Sequence, residues 1–145
     1  MARDAEIERF TFTLHVSHPT FAPEEIASRV GQVPARSVKA GSRPTTTDGV
    51  PLPNGKPRKL NYCAFKPIAG PADGFAEALK SATSDLTARG KEFSAITASG
   101  GFAYFYVGYF LASNVSNGFT ISPDLSASLA ALGLSVSFAL YNHDD

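Results

Sequence analysis

The stretch Phe102-Ala-Tyr-Phe-Tyr-Val-Gly-Tyr-Phe-Leu111 carries no charge and is dense in aromatic side chains. It is too short for a membrane span, which takes about 20 apolar residues, and its residue types suit a strand buried within a sheet. Side chains alternate along a strand, so Phe105, Val107, Tyr109 and Leu111 share one face and Phe102, Tyr104, Tyr106, Gly108 and Phe110 the other. The first set is the more aliphatic and is expected under helices. The second, with two tyrosine hydroxyls and a glycine notch, is expected to stay free of them.

Working outward, Phe10, Phe12, Leu14 and Val16 alternate with Thr11, Thr13 and His15, the period of a half-buried strand. Pro23, followed by Glu24 and Glu25 and closed by Gly31, predicts a short helix to Val30. From Gln32 to Pro57 five prolines and three glycines remove any periodicity, so a long irregular loop is expected over 34–57. A strand is expected at Arg58–Lys66, ended by Pro67, then a helix at Gly74–Arg89 with Asp73 as cap and Gly90 as stop. Phe93–Ala98 reads as a strand joined to the aromatic stretch by Ser99-Gly100-Gly101, making a hairpin. After a polar loop at Ser113–Gly118, Ser122 and Pro123 open a helix that stops at Gly133. Leu134, Val136, Phe138 and Leu140 then alternate along a last strand.

The order βαβαββαβ predicts an α+β two-layer sandwich. Its sheet is expected to be largely antiparallel, with about five strands, helices on one face and a kinship to ferredoxin-like topologies. The 145 residues fit one domain, able to bury about two-thirds of the surface its unfolded chain exposes. Cys63 is the single cysteine, which excludes an intrachain disulfide, and the charged first residues lack the apolar core of a signal peptide. A cytoplasmic protein is expected.

Net charge is zero, yet between Pro34 and Lys66 stand Arg36, Lys39, Arg43, Lys56, Arg58, Lys59 and Lys66 against Asp48 alone. A neutral protein with its cations gathered in one segment presents a local basic field.

With these elements in view, the chain resembles a bacterial family of domains of unknown function, some of whose members occur beside toxins and are considered immunity proteins. The residues that carry the resemblance are the strand Phe10–Val16, Pro23 and Ile26, and Val30-Gly31 with Pro34. Lys39 and Gly41 in the loop, and Leu132-Gly133-Leu134 with Tyr141, complete it. Where members often have a tryptophan after the loop, this chain has Tyr62. The resemblance implies a cytoplasmic bacterial domain, with an immunity role as its specific form, and supplies no catalytic residue.

No catalytic motif emerges from the residues themselves. Gly49–Lys56 imitates a phosphate loop, but its glycines stand one residue too far apart and Pro57 replaces the metal-binding hydroxyl. His15 and His18 point to opposite faces of one strand, and no third ligand joins them, so no metal site is expected. Cys63 has no local histidine partner and reads as a small buried hydrophobe. No cofactor is implied. Gly101-Phe102-Ala103-Tyr104 matches the centre of an RNA-recognition strand, although Gly100 replaces its basic residue and Val107 its last aromatic.

The expected function is therefore a non-enzymatic binding module for a protein partner, an acidic one by charge. Contacts are expected from Arg36, Lys39, Arg43, Lys56, Arg58, Lys59, Tyr62, Tyr104 and Tyr106. Two alternatives stand beside it: single-stranded nucleic-acid binding by the aromatic face and basic loop, and an enzyme built from scattered residues such as His15, His18, Tyr62 and Cys63. The free aromatic face is also expected to be covered by a second copy of the chain or by the loop.

Overall fold

The computed structural model describes residues 8–43, 50, 55–111 and 118–142. The tip of the basic loop, the polar segment 112–117 and His143 lie outside these. Ten elements follow one another: β1 (Arg9–His18), α1 (Pro23–Val30), β2 (Arg36–Val38), β3 (Asn61–Ala64), β4 (Ile68–Pro71), α2 (Phe75–Leu86), α3 (Gly90–Ala98), β5 (Phe102–Leu111), α4 (Pro123–Ala131) and β6 (Leu134–Asn142).

The six strands form one open, mixed sheet ordered β2-β3-β1-β5-β6, with β4 also paired to β1. The expectation of a largely antiparallel sheet of about five strands is corrected here. β5 runs antiparallel to β1 from Phe102 to Phe110 but parallel to β6 over its whole length. A parallel neighbour needs a crossover, and α4 supplies it. That helix starts as its sequence prescribes: the Ser122 hydroxyl accepts from Leu125 N at 3.1 Å, and Pro123 occupies the first turn.

The second correction is larger. Phe93–Ala98 lies within α3, so the expected hairpin does not exist and the aromatic strand pairs instead with β1 and β6. Phe93 and Ile96 are three residues apart, a helical spacing, and both are fully buried. Gly90 is helical and opens α3, and a 3-10 turn at Thr87–Arg89 connects it to α2.

The expected strand Arg58–Lys66 is shortened to β3, Asn61–Ala64, and Pro67 does not end the pairing, because β4 resumes it at Ile68. β3 pairs with one half of β1 through His15–Ala64, and β4 with the other through Phe12–Ile68. Between those pairs β1 moves from 15 to 12 while its partner moves from 64 to 68, so the partner carries one extra residue, a bulge. Pro67 stands in it and has no N–H for the ladder. Phe65 N still donates to Leu14 O at 3.0 Å, and its ring enters the core. Nor is the loop wholly irregular: β2 lies within it, paired to β3.

The register decides which side chains meet. Phe10, Phe12, Leu14 and Val16 of β1 stand beside Tyr109, Val107, Phe105 and Ala103 of β5, all buried. Ile26 and Val30 of α1, Phe75 and Leu79 of α2, Phe93 and Ile96 of α3, and Leu125 and Leu129 of α4 join them in one core cluster. Burial of each such large side chain contributes about 1.5–3 kcal/mol. The helices therefore cover the face that the alternation in Phe102–Leu111 assigns to them.

Candidate binding surface

The opposite sheet face carries Arg36 and Val38 of β2, Tyr62 and Ala64 of β3, and Arg9, Thr11, Thr13, His15 and Ser17 of β1. Phe102, Tyr104, Tyr106, Gly108 and Phe110 of β5 and Ser135, Ser137, Ala139 and Tyr141 of β6 complete it. No aspartate or glutamate stands on this face of any strand. Phe102 is 47% exposed, Tyr106 41% and Tyr141 43%.

Its rings are ordered by mutual contact. The His15 imidazole lies parallel to the Tyr104 ring with centroids 5.0 Å apart, and Tyr104 stacks on Phe102 at 6.3 Å. Tyr106 meets His15 edge-on, with centroids 6.2 Å apart. At the far end Phe110 stacks on Tyr141 at 5.0 Å, and the Arg9 guanidinium sits 4.5 Å from the Phe110 centroid. The Tyr106 and Tyr141 hydroxyls are 3.5 Å apart, and this contact is the main cause that raises the Tyr106 pKa.

Beside the aromatic array the chain builds a basic cleft. Ala35 N donates to Ala64 O at 2.8 Å and anchors β2. Asn61 fixes the next turn, accepting from Ala40 N at 2.7 Å while its amide donates to Phe21 O at 2.8 Å. Gly41, in the left-handed region with φ 90°, turns the chain so that its N–H donates to Arg58 O at 2.7 Å, and Arg58 N returns a bond to Ser42 O at 2.8 Å. Two segments distant in sequence are thereby pinned together. Arg36, Lys39, Arg43 and Arg58, with Ser37 and Ser42, line the resulting concavity of about 370 Å³, and among the described residues no carboxylate lines it. The ion pairs among the described residues lie elsewhere, joining Arg29 to Glu25 at 2.8 Å and to Glu92 at 2.9 Å.

Tyr62 joins cleft to aromatic face. Its hydroxyl lies 2.5 Å from His15 Nδ1, a contact in which a neutral phenol and a neutral imidazole satisfy each other. Burial raises the Tyr62 pKa first and Tyr104 adds to this, while Arg36 and Arg58 lie near enough to pull it down. Burial also lowers the His15 pKa, so both partners are held neutral.

The sequence-selected cations thus divide. Arg36, Lys39, Arg43 and Arg58 converge, whereas Lys56 and Lys59 are exposed and do not line the cleft. Tyr104 and Tyr106 share one face as their alternation predicts, and the register adds Tyr62 to it. Arg9 and Tyr141 are not among the expected contact residues, though the alternation that sends Phe10 and Leu140 to the other face leaves both on this one. The four residues offered for an enzyme site separate: His15 and Tyr62 lie on the open face, His18 and Cys63 beneath the helices. His18 Nδ1 accepts from Thr20 N at 3.0 Å and Phe21 N at 2.8 Å, and its Nε2 lies 2.7 Å from the Ser99 hydroxyl. Cys63 donates to Pro23 O, and burial raises its pKa. Among the described residues no three His, Cys, Asp or Glu side chains are placed to hold a metal ion, and no helix is long and apolar enough to cross a membrane.

Together these features define an α+β domain with a mixed open sheet and an aromatic face whose described strand residues include no acid and which cations border. The chain belongs to the DUF4279 family, a domain of unknown function, whose pattern matches residues 8–143. Neither a curated protein nor a solved structure gives a match.

Proposed function

We propose that this domain is a non-enzymatic binding module that captures an acidic protein through one surface made of the basic cleft and the aromatic sheet face. The observation that carries this reading is the continuity at Tyr62, which touches His15 of the aromatic array and feels Arg36 and Arg58 of the cleft. Cations without carboxylate neighbours speed the encounter with an acidic partner, and rigid aromatic rings supply contact area at low entropic cost.

Charge complementarity favours a different protein over a second copy. Among the described strand residues, a copy laid on this face brings no acid to it, and Arg9 and Arg36 would meet only neutral or like-charged groups. Ring geometry favours protein over single-stranded nucleic acid. Base stacking needs free ring faces, whereas His15, Tyr104 and Phe102 turn theirs toward one another. An immunity role in a bacterial cytoplasm, with a toxin as the acidic partner, is the specific form that the sequence resemblance implies. In this reading the molecule is a two-layer sandwich whose uncovered layer is the sheet.

The test is affinity capture from the native source with the intact chain and with a Tyr104→Ala/Tyr106→Ala variant, followed by binding measurements on the purified partner. A specific acidic protein retained by the first and lost by the second supports the reading. Capture of nucleic acid, with affinity falling linearly in log salt, would replace it with the nucleic-acid reading. A dimer of this chain with no other partner would replace it with self-association.

A further inference from the structure

We propose that the cleft between β2 and Arg58 is a seat for a phosphoryl group, so that the partner it recognises is phosphorylated. The inference rests on the reading of this surface as the binding site and deepens it by naming the anchoring group.

Four cations line a concavity of about 370 Å³, and a sphere of that volume is about 9 Å across, comparable to the screening length at physiological ionic strength. Their mutual repulsion is therefore only partly screened, and among the described residues no lining carboxylate relieves it. A surface evolved only for solubility places cations beside acids, as the half-buried Arg29 is placed between Glu25 and Glu92.

The kind of cation narrows the ligand. Three of the four lining cations are arginines, whose planar forks donate two parallel hydrogen bonds to an oxyanion. A carboxylate offers two oxygens and one charge, enough for one fork. A phosphoryl group offers three oxygens and a charge between about −1.5 and −2, so several forks engage it at once. The backbone frame is fixed beforehand by the reciprocal bonds of Gly41 and Ser42 with Arg58, which hold two arginine-bearing segments in register before any ligand arrives.

The experiment is an NMR titration of the intact, isotope-labelled chain, in low-salt buffer free of phosphate and sulfate, with inorganic phosphate, O-phosphoserine, a phosphoserine peptide, its glutamate counterpart and a single-stranded oligonucleotide. Saturable shifts are expected at the amides of Val38–Arg43 and Arg58, with the phosphopeptide binding at least about tenfold tighter than the glutamate peptide. Arg36→Ser/Arg58→Ser should weaken phosphopeptide binding at least about tenfold while circular dichroism and Tm stay unchanged. Arg58→Lys, which keeps the charge and removes the fork, should fall between. Free phosphate binding as tightly as the phosphopeptide would assign the seat to a small phosphorylated ligand and confirm the phosphoryl group. Absence of saturable binding by every phosphate probe, equal affinity for the glutamate peptide, undiminished binding by the serine variants, or tighter binding of a single-stranded oligonucleotide would each overturn the proposal. If the captured acidic partner still binds when all phosphate probes fail, the phosphoryl assignment falls and the protein-binding reading stands.

Discussion

Val107 and Tyr106 are neighbours in β5 and stand on opposite sides of the sheet: Val107 is 0% exposed against Phe12 and Phe138 of the adjoining strands, and Tyr106 is 41% exposed beside His15. The whole division of the molecule into a core face and an open face turns on this one step of the chain.

Val107→Asp buries a carboxylate with no partner and is expected to cost several kcal/mol, enough to unfold a domain of this size or lower its Tm sharply. Tyr106→Asp places its charge at the exposed face and is expected to leave Tm within a few degrees while weakening partner capture. Thermal melts of the two purified variants check this. Equal losses would contradict the face assignment.

Gly101 is predicted to tolerate no side chain. A Cβ there would lie 2.6 Å from His18 Cδ2, 2.7 Å from Ile96 Cγ2 and 2.8 Å from the backbone oxygen of Ser17. The oxygen belongs to β1 and cannot swing aside, so Gly101→Ala should destabilise by about 1–3 kcal/mol, measured by urea unfolding. Gly101→Ala with wild-type stability would show that the approach of α3 to β1 is looser than described.

Stability is predicted to fall on the acid side of neutrality through His18. Its pKa lies below the ordinary histidine value of 6.5, first because of burial, and its Nδ1 must stay unprotonated to accept from Thr20 N and Phe21 N. Below about pH 6.5 the unfolded chain binds a proton that the native state refuses, so stability is complete above that value and declines as pH drops toward the lower native pKa. His15, also lowered by burial, acts in the same direction. Melting curves from pH 8 to 5 should show the decline, and His18→Gln should lower Tm at pH 8 but flatten the pH dependence. A Tm independent of pH would contradict the neutral imidazole.

Much of the architecture is legible in local pattern. Period-two alternation marks β1 and β5 and correctly sorts Val107 from Tyr106. Proline and serine at the helix starts mark α1 and α4. The misreadings have physical causes. Phe93, Ile96 and Thr97 are strand-favouring types, but the separation of Phe93 from Ile96 is helical and burial against the sheet decided in its favour. Gly90 resembles a helix stop, yet it lacks the positive φ seen at Gly31 and continues into α3. The parallel pairing of β6 with β5 and the bulge at Phe65–Pro67 depend on contacts between distant segments. For the binding surface, the excess of cations is visible in the sequence. The convergence of Arg58 with Arg36, Lys39 and Arg43 is not, because it is made by the backbone bonds between Gly41, Ser42 and Arg58.

The central claim, that cleft and aromatic face act together on an acidic partner, is tested most directly by association kinetics. The purified partner is bound to the wild type and to Arg36→Ser/Lys39→Ser/Arg43→Ser over a series of salt concentrations. The account predicts that the variant keeps its Tm, associates at least about tenfold more slowly at low salt, and approaches the wild-type rate as salt screens the cleft. An association rate unchanged at low salt would contradict it, and a large loss of Tm would show instead that the cleft residues serve the fold.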